Sequence, residues 1–141
     1  MTRIDFYVSP ETELQARRQL ACRLTEKAYK LGKQVYIHTE SETDSQLMDE
    51  LLWSFRQGSF VPHQISTTQS SISAPVLIGH HQEADGQADV LINLTDTIPD
   101  FFSHFERVAE IVNEDENVRL KARERYQFYR DRGYDLTTHK L

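Results

Sequence analysis

The stretch Ile4-Asp5-Phe6-Tyr7-Val8-Ser9-Pro10 decides the fold, because it predicts a short strand that passes directly into a helix. Ser9 is predicted as the N-cap of that helix and Pro10 as its first residue, a position where proline is favoured. The helix is expected to stop at Gly32, and Val35-Tyr36-Ile37 is the next strand. A strand, a helix and a strand in this order predict a parallel pair joined by a helical crossover.

Two further apolar runs extend the same pattern. Val76-Leu77-Ile78 and Val90-Leu91-Ile92 lack alternating polar residues, which predicts strands buried on both faces of a sheet. Before them, Ser41 followed by Asp44 predicts the start of another helix. Residues 101–112 leave two interpretations open: a helix or, over 107–112, a strand.

The last helix is the most distinctive segment. We expect Asn113 to cap it, Glu116 to occupy its third position and Gly133 to end it. Residues 118–132 carry six basic side chains and two acidic ones, whereas the whole chain has a formal net charge of −6. Positive charge gathered on one helix of an acidic protein suits a small anionic partner better than a nucleic acid, which needs many cationic contacts.

Length and composition predict a single soluble domain. The chain has 141 residues, of which 38% are hydrophobic and 27% charged, as is typical of globular proteins. No apolar run approaches the roughly 20 residues of a membrane span, and the N-terminus has no apolar signal segment. Cys22 stands alone, which excludes a disulfide framework and a thiolate metal site. We therefore expect a cytoplasmic protein.

The predicted turns contain no recognisable phosphate-binding or catalytic motif. Residues 9–13, the first strand-to-helix turn, lack glycine and hold two carboxylates, which disfavours a phosphate site. His80-His81 would point to opposite faces of a strand, and no nucleophile motif is present. We predict one three-layer α/β/α domain over residues 1–141, with a mostly parallel sheet, Rossmann-like but without a phosphate-binding loop, a cofactor or a metal. A nucleotide-binding or enzymatic α/β domain with an unrecognised site is the alternative.

The second helix carries an aromatic residue on its polar side. Trp53 lies about 170° from the centre of an apolar face, and Phe60-Val61-Pro62 follow in the next loop. Two interpretations are open: the loop folds back over Trp53, or Trp53 anchors a partner protein, since tryptophan is prominent in interface hot spots. The apolar face consists of Leu47, Met48, Leu51, Leu52 and Phe55.

The last helix presents two stripes. Val118, Ala122 and Tyr129 form a narrow seam that is expected to face the domain. The neighbouring stripe is basic and aromatic, and its members lie within about 60° of one another. It is either an ordinary solvated face or a site for an acidic peptide, since arginine binds carboxylates bidentately and tyrosine offers an apolar wall. The members of this basic stripe are Arg119, Arg123, Tyr126 and Arg130.

The chain resembles the chi subunit of bacterial DNA polymerase III over nearly its whole length. The resemblance implies a non-catalytic accessory subunit of the clamp-loader complex, with an α/β fold that lacks the phosphate loop. It also favours a strand over residues 107–112. The runs that carry it, in the same order and spacing, are Phe6-Tyr7, Gly32-Lys33, Leu52-Trp53, Ser59-Phe60-Val61-Pro62-His63, Asp89-Val90-Leu91-Ile92, Ala122-Arg123-Glu124-Arg125-Tyr126, Tyr129-Arg130 and Gly133.

The resemblance further implies two protein partners, and no direct contact with nucleic acid or membrane. The psi subunit, which links chi subunits to the clamp loader, is expected at Trp53 and at Phe60, Val61 and Pro62. The acidic C-terminal tail of single-stranded DNA-binding protein, which ends in an aromatic residue, is expected at the last helix. At Gln127 the chain departs from the resemblance, because some relatives carry lysine there. The implied tail site comprises Val112, Arg119, Arg123, Tyr126, Gln127 and Arg130.

Overall fold

Seven strands and three α-helices make up the part of the chain that the computed structural model describes, residues 2–66, 74–80 and 89–141. A short 3₁₀ turn, Phe102–His104, precedes the sixth strand. Within the described residues, no helix combines the length and the apolar character needed to cross a bilayer. In chain order the elements are β1 (Arg3–Val8), α1 (Leu14–Lys30), β2 (Val35–His38), α2 (Glu42–Ser54), β3 (His63–Ile65), β4 (Val76–Gly79), β5 (Val90–Asn93), β6 (Arg107–Val112), α3 (Glu116–Asp131) and β7 (Asp135–Lys140).

The described strands all pair in parallel in one sheet, in the order β3-β4-β2-β5-β6-β1-β7. β6 lies between β5 and β1, which decides the open interpretation of residues 107–112 in favour of a strand. Crossover helices cover both faces of a parallel sheet, so its central strands are buried on both sides. The uninterrupted apolar runs of β4 and β5 follow from this burial.

The helices create two apolar cores, one on each face of the sheet. α1 and α2 pack on one face, where Leu20, Met48 and Ile37 belong to the same cluster. α3 and the 3₁₀ turn pack on the other face, in a cluster with Phe6 and Tyr36. Tyr36 and Ile37 are neighbours in β2 and face opposite cores, as the two-residue period of a strand requires. The predicted three-layer α/β/α fold is confirmed.

The start of α1 differs from the prediction. Ser9 and Pro10 lie outside the helix, which begins at Leu14 without a side-chain cap. The segment before it bonds instead to the connection between β6 and α3, where the Glu114 N–H donates to the Glu11 carbonyl at 2.8 Å. This tertiary hydrogen bond holds the segment across the end of the sheet, so the helix begins after it.

The start of α3 is also later than predicted. Asp115, and not Asn113, is the N-cap, and its carboxylate accepts from the Val118 N–H at 3.2 Å. The Asn113 side chain donates to the Glu13 carbonyl at 2.9 Å and accepts from the Asp115 N–H at 3.1 Å. Asn113 therefore joins the segments that precede α1 and α3, which leaves the capping position to Asp115.

Other predicted boundaries are confirmed. The Ser41 hydroxyl accepts from the Asp44 N–H at 3.2 Å and caps α2. Gly32 and Gly133 follow the ends of α1 and α3 with φ of +78° and +79°, a conformation that favours glycine. The edge strands β3 and β7 were not predicted. β7 is mostly polar and exposed, so no apolar run marks it in the sequence.

Candidate functional site

Trp53 and Phe60 form an exposed pair, called here the aromatic surface. Trp53 lies on α2, on the side away from the buried Met48 and Leu52. Trp53 is 53% exposed and Phe60 67%, although their ring centroids are only 5.6 Å apart. Two aromatic rings that touch each other and remain in water form an apolar patch of the kind found at protein interfaces.

The loop after α2 reaches Trp53 without covering it. The His63 ring lies 4.5 Å from the indole ring, and its Nδ1 atom is 2.7 Å from the Val61 carbonyl oxygen. Val61 itself is buried in the core with α1 and α2, and Pro62 is partly buried. The loop therefore contacts Trp53, as the first interpretation expects, but leaves half of it exposed. The second interpretation, a partner protein anchored at Trp53, stays a prediction. Val61 supports the surface from within and does not form it.

A carboxylate on α1 fixes the turn that leads to Phe60. Glu26 accepts hydrogen bonds from the Ser59 hydroxyl and from the Arg56 guanidinium, the latter at 2.5 Å. These hydrogen bonds, from Ser59 and then Arg56, hold the pKa of Glu26 below its ordinary value. Glu26 is therefore ionised at neutral pH, and the turn is attached to the body of the domain.

The predicted basic stripe lies on the outer side of α3. Arg119, Arg123 and Arg130 are exposed, and Tyr126 is 36% exposed. The Tyr126 ring packs edge-on against Phe6 of β1, with ring centroids 5.4 Å apart. Tyr126 thus has one side supported by the core and another open to solvent, close to cationic side chains.

Arg123 is the most available cation of the basic stripe. Arg119 Nε is 3.6 Å from a Glu114 carboxylate oxygen, and Arg130 Nε is 3.8 Å from one of Asp131. Across the part of the chain that the structure describes, no carboxylate lies within ion-pair distance of Arg123. Exposed pairs contribute only about 0–1 kcal/mol, so a ligand carboxylate can replace them.

Two other residues of the predicted tail site have different surroundings. Val112 is buried at the end of β6, in the same apolar cluster as Phe6. Val112 therefore does not belong to the solvent-facing side of this region. Gln127 is exposed on α3 and adds no charge to the stripe.

A buried ion pair fixes α3 from inside the domain. Glu110 of β6 accepts from the Arg125 Nε at 3.0 Å and from the Tyr129 hydroxyl at 2.7 Å. Asn93 of β5 donates to both oxygens of the same carboxylate, at 3.0 and 3.1 Å. Burial raises the pKa of Tyr129 and Glu110 raises it further, so the hydroxyl remains a donor. The inner side of α3 is thus held, and the basic stripe faces outward.

Four residues that support the aromatic surface or the basic stripe were not predicted from the sequence. A signal existed for Glu110, a charged residue inside an apolar strand, because buried charges require a partner. Helical spacing also places Arg125 three residues after Ala122 and four before Tyr129, on the buried seam. No local pattern connects Glu26 with Ser59, 33 residues later. The missed residues are Glu26, His63, Glu110 and Arg125.

The crevice at the carboxyl ends of the strands, where open α/β sheets bind ligands, is unsuited to phosphate. A cavity of about 460 Å³ lies there, and Glu40, Asp44 and Asp96 contribute to its lining. Arg17 also lines it, but its guanidinium donates to the Ile111 carbonyl at 3.0 Å. Arg18 lines the cavity as well and pairs with Asp44 at 3.4 Å. Both arginines are thus engaged by protein groups, and three carboxylates against two cations leave the lining with a net negative charge, which disfavours an anionic ligand.

Among the described residues, the metal-ligating and nucleophilic side chains also give no indication of a metal site or an active site. Within residues 2–66, 74–80 and 89–141, no group of three or more His, Cys, Asp or Glu side chains could hold a metal ion. His81 lies outside the described residues, so the predicted arrangement of His80 and His81 is not visible. Burial raises the pKa of the Cys22 thiol to about 12, which keeps it protonated and inert at neutral pH.

The chain is similar to characterised replication proteins along its full length. The family described as DNA polymerase III chi subunit, HolC, matches residues 1–137. DNA polymerase III subunit chi of Pseudomonas aeruginosa is 45% identical over 141 residues, which are 100% of this chain and 98% of that protein. The subunit chi proteins of Haemophilus influenzae and Escherichia coli are 34% and 35% identical, over 96% and 89% of this chain and 95% and 86% of theirs.

The fold also occurs in a solved structure of a different protein. The crystal structure of T4 UvsW matches 99% of this chain with a TM-score of 0.67, at 8% sequence identity and over 41% of the UvsW chain. This likeness concerns the fold alone. By the full-length matches, the chain belongs to the DNA polymerase III chi subunit family, accessory subunits of the DNA replication machinery.

Proposed function

We propose that this chi-family protein is a non-catalytic adaptor between two proteins. One partner is the psi subunit, which would connect it to the clamp loader; the other is the acidic C-terminal tail of single-stranded DNA-binding protein. The observation that carries the proposal is the basic stripe, with exposed arginines around a half-supported tyrosine on a chain of net charge −6. The aromatic surface supplies the second attachment.

The basic stripe has the chemistry to hold an acidic peptide with a terminal aromatic residue. Arg123 can pair with a peptide carboxylate through two parallel hydrogen bonds. Arg119 and Arg130 raise the local positive potential, which attracts the remaining acidic residues. The solvent-facing side of Tyr126, supported by Phe6, offers an aromatic ring against which the terminal residue packs.

The aromatic surface suits a partner with an apolar groove or helix face. Trp53 and Phe60 are already in contact in the free protein, so a partner meets both rings as one unit. Removing them from water supplies the driving force, and aromatic side chains of this size form the energetic centre of many interfaces. Pro62, partly buried, lies at the margin of this surface.

The two surfaces belong to different layers of the domain. The aromatic surface lies with α2, on the face of the sheet that α1 covers, whereas the basic stripe lies on α3, on the opposite face. Both partners can therefore bind at once. Such an adaptor attaches the polymerase complex to a coated template without contacting the bases.

A nucleotide-binding or enzymatic domain is the competing function. The carboxylate-lined crevice, the thiol held protonated in α1 and the glycine-free first turn all argue against it. A calorimetric titration with nucleoside triphosphates, with and without magnesium, should therefore produce no binding heat. Saturable binding in that titration would favour the enzymatic alternative.

Calorimetry with a synthetic acidic peptide that ends in phenylalanine and a free carboxylate tests the tail site. We expect roughly micromolar affinity, about −8 kcal/mol. The same peptide with a C-terminal amide should bind about tenfold more weakly, because it loses a charge-assisted hydrogen bond. Single-stranded DNA alone should give no gel shift. Equal binding of the acid and the amide, or a shift with bare DNA, would contradict the proposed mode of attachment.

A further inference from the structure

We infer that Glu26 is the positioning residue of the aromatic surface: from α1 it fixes the turn of residues 56–59 and so sets the place of Phe60 against Trp53. This role rests on the proposed docking of a protein partner at those two rings. Glu26 lies on another helix and acts through side chains of the turn, so its effect on binding is indirect.

The Glu26 carboxylate holds two side chains of the turn at once. One oxygen accepts from the Arg56 guanidinium at 2.5 Å, and the other accepts from the Ser59 hydroxyl. The Glu26 side chain is 12% exposed, so water competes little for its oxygens. Hydrogen bonds to an ionised acceptor are stronger than neutral ones. Lys30, one helical turn later, adds a weaker attraction at 3.9 Å.

The turn has few other means of holding its shape. The Ser59 N–H donates to the Arg56 carbonyl at 3.2 Å, which closes the turn locally. Gly58 has a φ of +81°, a conformation that glycine adopts without steric cost, and no heavy atom lies within 4 Å of the place of a Cβ. The turn is thus open to solvent at its tip, and the bonds to Glu26 attach it to the domain.

Phe60 lies between this attached turn and a buried residue. Val61, the next residue, is embedded in the core, and its carbonyl oxygen is 2.7 Å from His63 Nδ1. A residue held on both sides keeps its backbone direction even though its own side chain is mostly exposed. Phe60 therefore already lies beside Trp53 in the free protein, so less conformational entropy is lost when a partner binds.

The ionised form of Glu26 is the one that holds the turn. A carboxylate accepts both hydrogen bonds, whereas a protonated carboxyl or an amide also presents a donor. Because these bonds lower the pKa of Glu26, their contribution is complete above the ordinary glutamate pKa of about 4.3 and is lost as the pH falls through the lowered value. At neutral pH the turn is fully held.

Glu26→Gln tests this role, with Glu124→Gln as the matched control, since Glu124 is an exposed carboxylate on α3, on the other face of the sheet from Trp53. Two quantities are measured: the affinity for the psi subunit by calorimetry, and the acrylamide quenching of Trp53, the only tryptophan in the chain. We expect Glu26→Gln to weaken binding about tenfold, the scale of a lost charge-assisted hydrogen bond. It should also increase quenching, because Phe60 moves away from the indole. Glu124→Gln should change neither quantity.

Ser59→Ala provides an independent variant that leaves no charge unpaired. It should weaken binding about two- to fivefold, and its effect should shrink in the Glu26→Gln background if Glu26 acts through Ser59. A merely structural loss of stability would give additive effects. Should Glu26→Gln fail to fold, Ser59→Ala decides the question with the same two readouts.

The outcomes separate this role from the docking function itself. Unchanged affinity and unchanged quenching in folded Glu26→Gln would overturn the positioning role, while loss of binding in Trp53→Ala would leave the docking function intact. Undiminished binding by Trp53→Ala would overturn the docking function instead. The quenching of Trp53 in the free Glu26→Gln protein then still decides whether Glu26 fixes Phe60.

Discussion

The basic stripe and the aromatic surface are held in place in different ways. The stripe occupies one side of a regular helix, and the inner side of that helix bonds to Glu110 within the sheet. The aromatic surface joins the end of α2 to a loop, and Glu26 of a neighbouring helix holds that loop. Glu110 is fully buried, whereas the Glu26 side chain is 12% exposed and bonds to a surface turn. One carboxylate therefore governs stability, and the other governs mainly local geometry.

Glu110→Ala should produce the largest effect, and it tests whether Glu110 holds the helix that carries the basic stripe. It leaves the buried Arg125 without its carboxylate, which should lower the free energy of unfolding by about 3–5 kcal/mol. Urea unfolding followed by circular dichroism measures this loss. The control Glu124→Ala removes an exposed carboxylate from α3 and should change stability by about 0.5 kcal/mol or less. A loss below about 1 kcal/mol in Glu110→Ala would mean that packing alone holds α3.

Trp53→Ala should separate binding from stability at the aromatic surface. Because half of Trp53 is exposed, we expect a small change in melting temperature but a loss of at least about 2 kcal/mol in affinity for the psi subunit. Leu120→Ala removes an equally exposed apolar side chain from α3 and should leave psi binding unchanged. A large fall in melting temperature for Trp53→Ala would instead assign Trp53 to a satellite core with the loop.

Arg123→Ala should weaken the tail complex by about 1.5–3 kcal/mol, the contribution of a charge-assisted hydrogen bond. Lys121→Ala is the matched control, since it removes the same charge from another side of α3. Calorimetry with the acidic peptide compares the two variants. The wild-type affinity should also fall as salt rises, because exposed charges are screened over about 8 Å at physiological ionic strength. Equal losses in both variants would show that only the overall charge matters.

Gln127→Lys should give the smallest effect, and it tests whether positive charge on the basic stripe sets the affinity for the peptide. An added exposed charge next to Tyr126 should strengthen peptide binding by about 0.2–1 kcal/mol at low salt. Gln127→Met, similar in length and uncharged, should leave the affinity unchanged. Unchanged peptide binding by the lysine variant at low salt would place the peptide away from this side of α3.

The parts of the fold that follow a simple period could be predicted from the sequence. The apolar runs of β2, β4 and β5 have no polar alternation because both of their faces are buried. The helical period places Trp53 away from the core and separates the basic stripe from the seam that holds Tyr129, and the exposures confirm both. Periodicity succeeds here because it reports which side of an element meets the domain.

The parts that depend on contacts between distant residues could not be predicted. Ser9 and Pro10 satisfy the local rules for a helix start, yet the bond from Glu114 to Glu11 delays the helix. β7 is polar because it is an edge strand, so it lacks the apolar run by which inner strands are recognised. The bond between Glu26 and Ser59 joins separate elements, and no spacing rule identifies it.

Independence of the two docking surfaces is tested most directly by one calorimetric comparison. The acidic tail peptide is titrated into the free protein and into the protein saturated with the psi subunit. Because the surfaces lie on opposite faces of the sheet, the peptide Kd should agree within about twofold, and psi should stay bound. Displacement of psi, or a change of about tenfold or more in the peptide Kd, would contradict an adaptor that holds both partners at once.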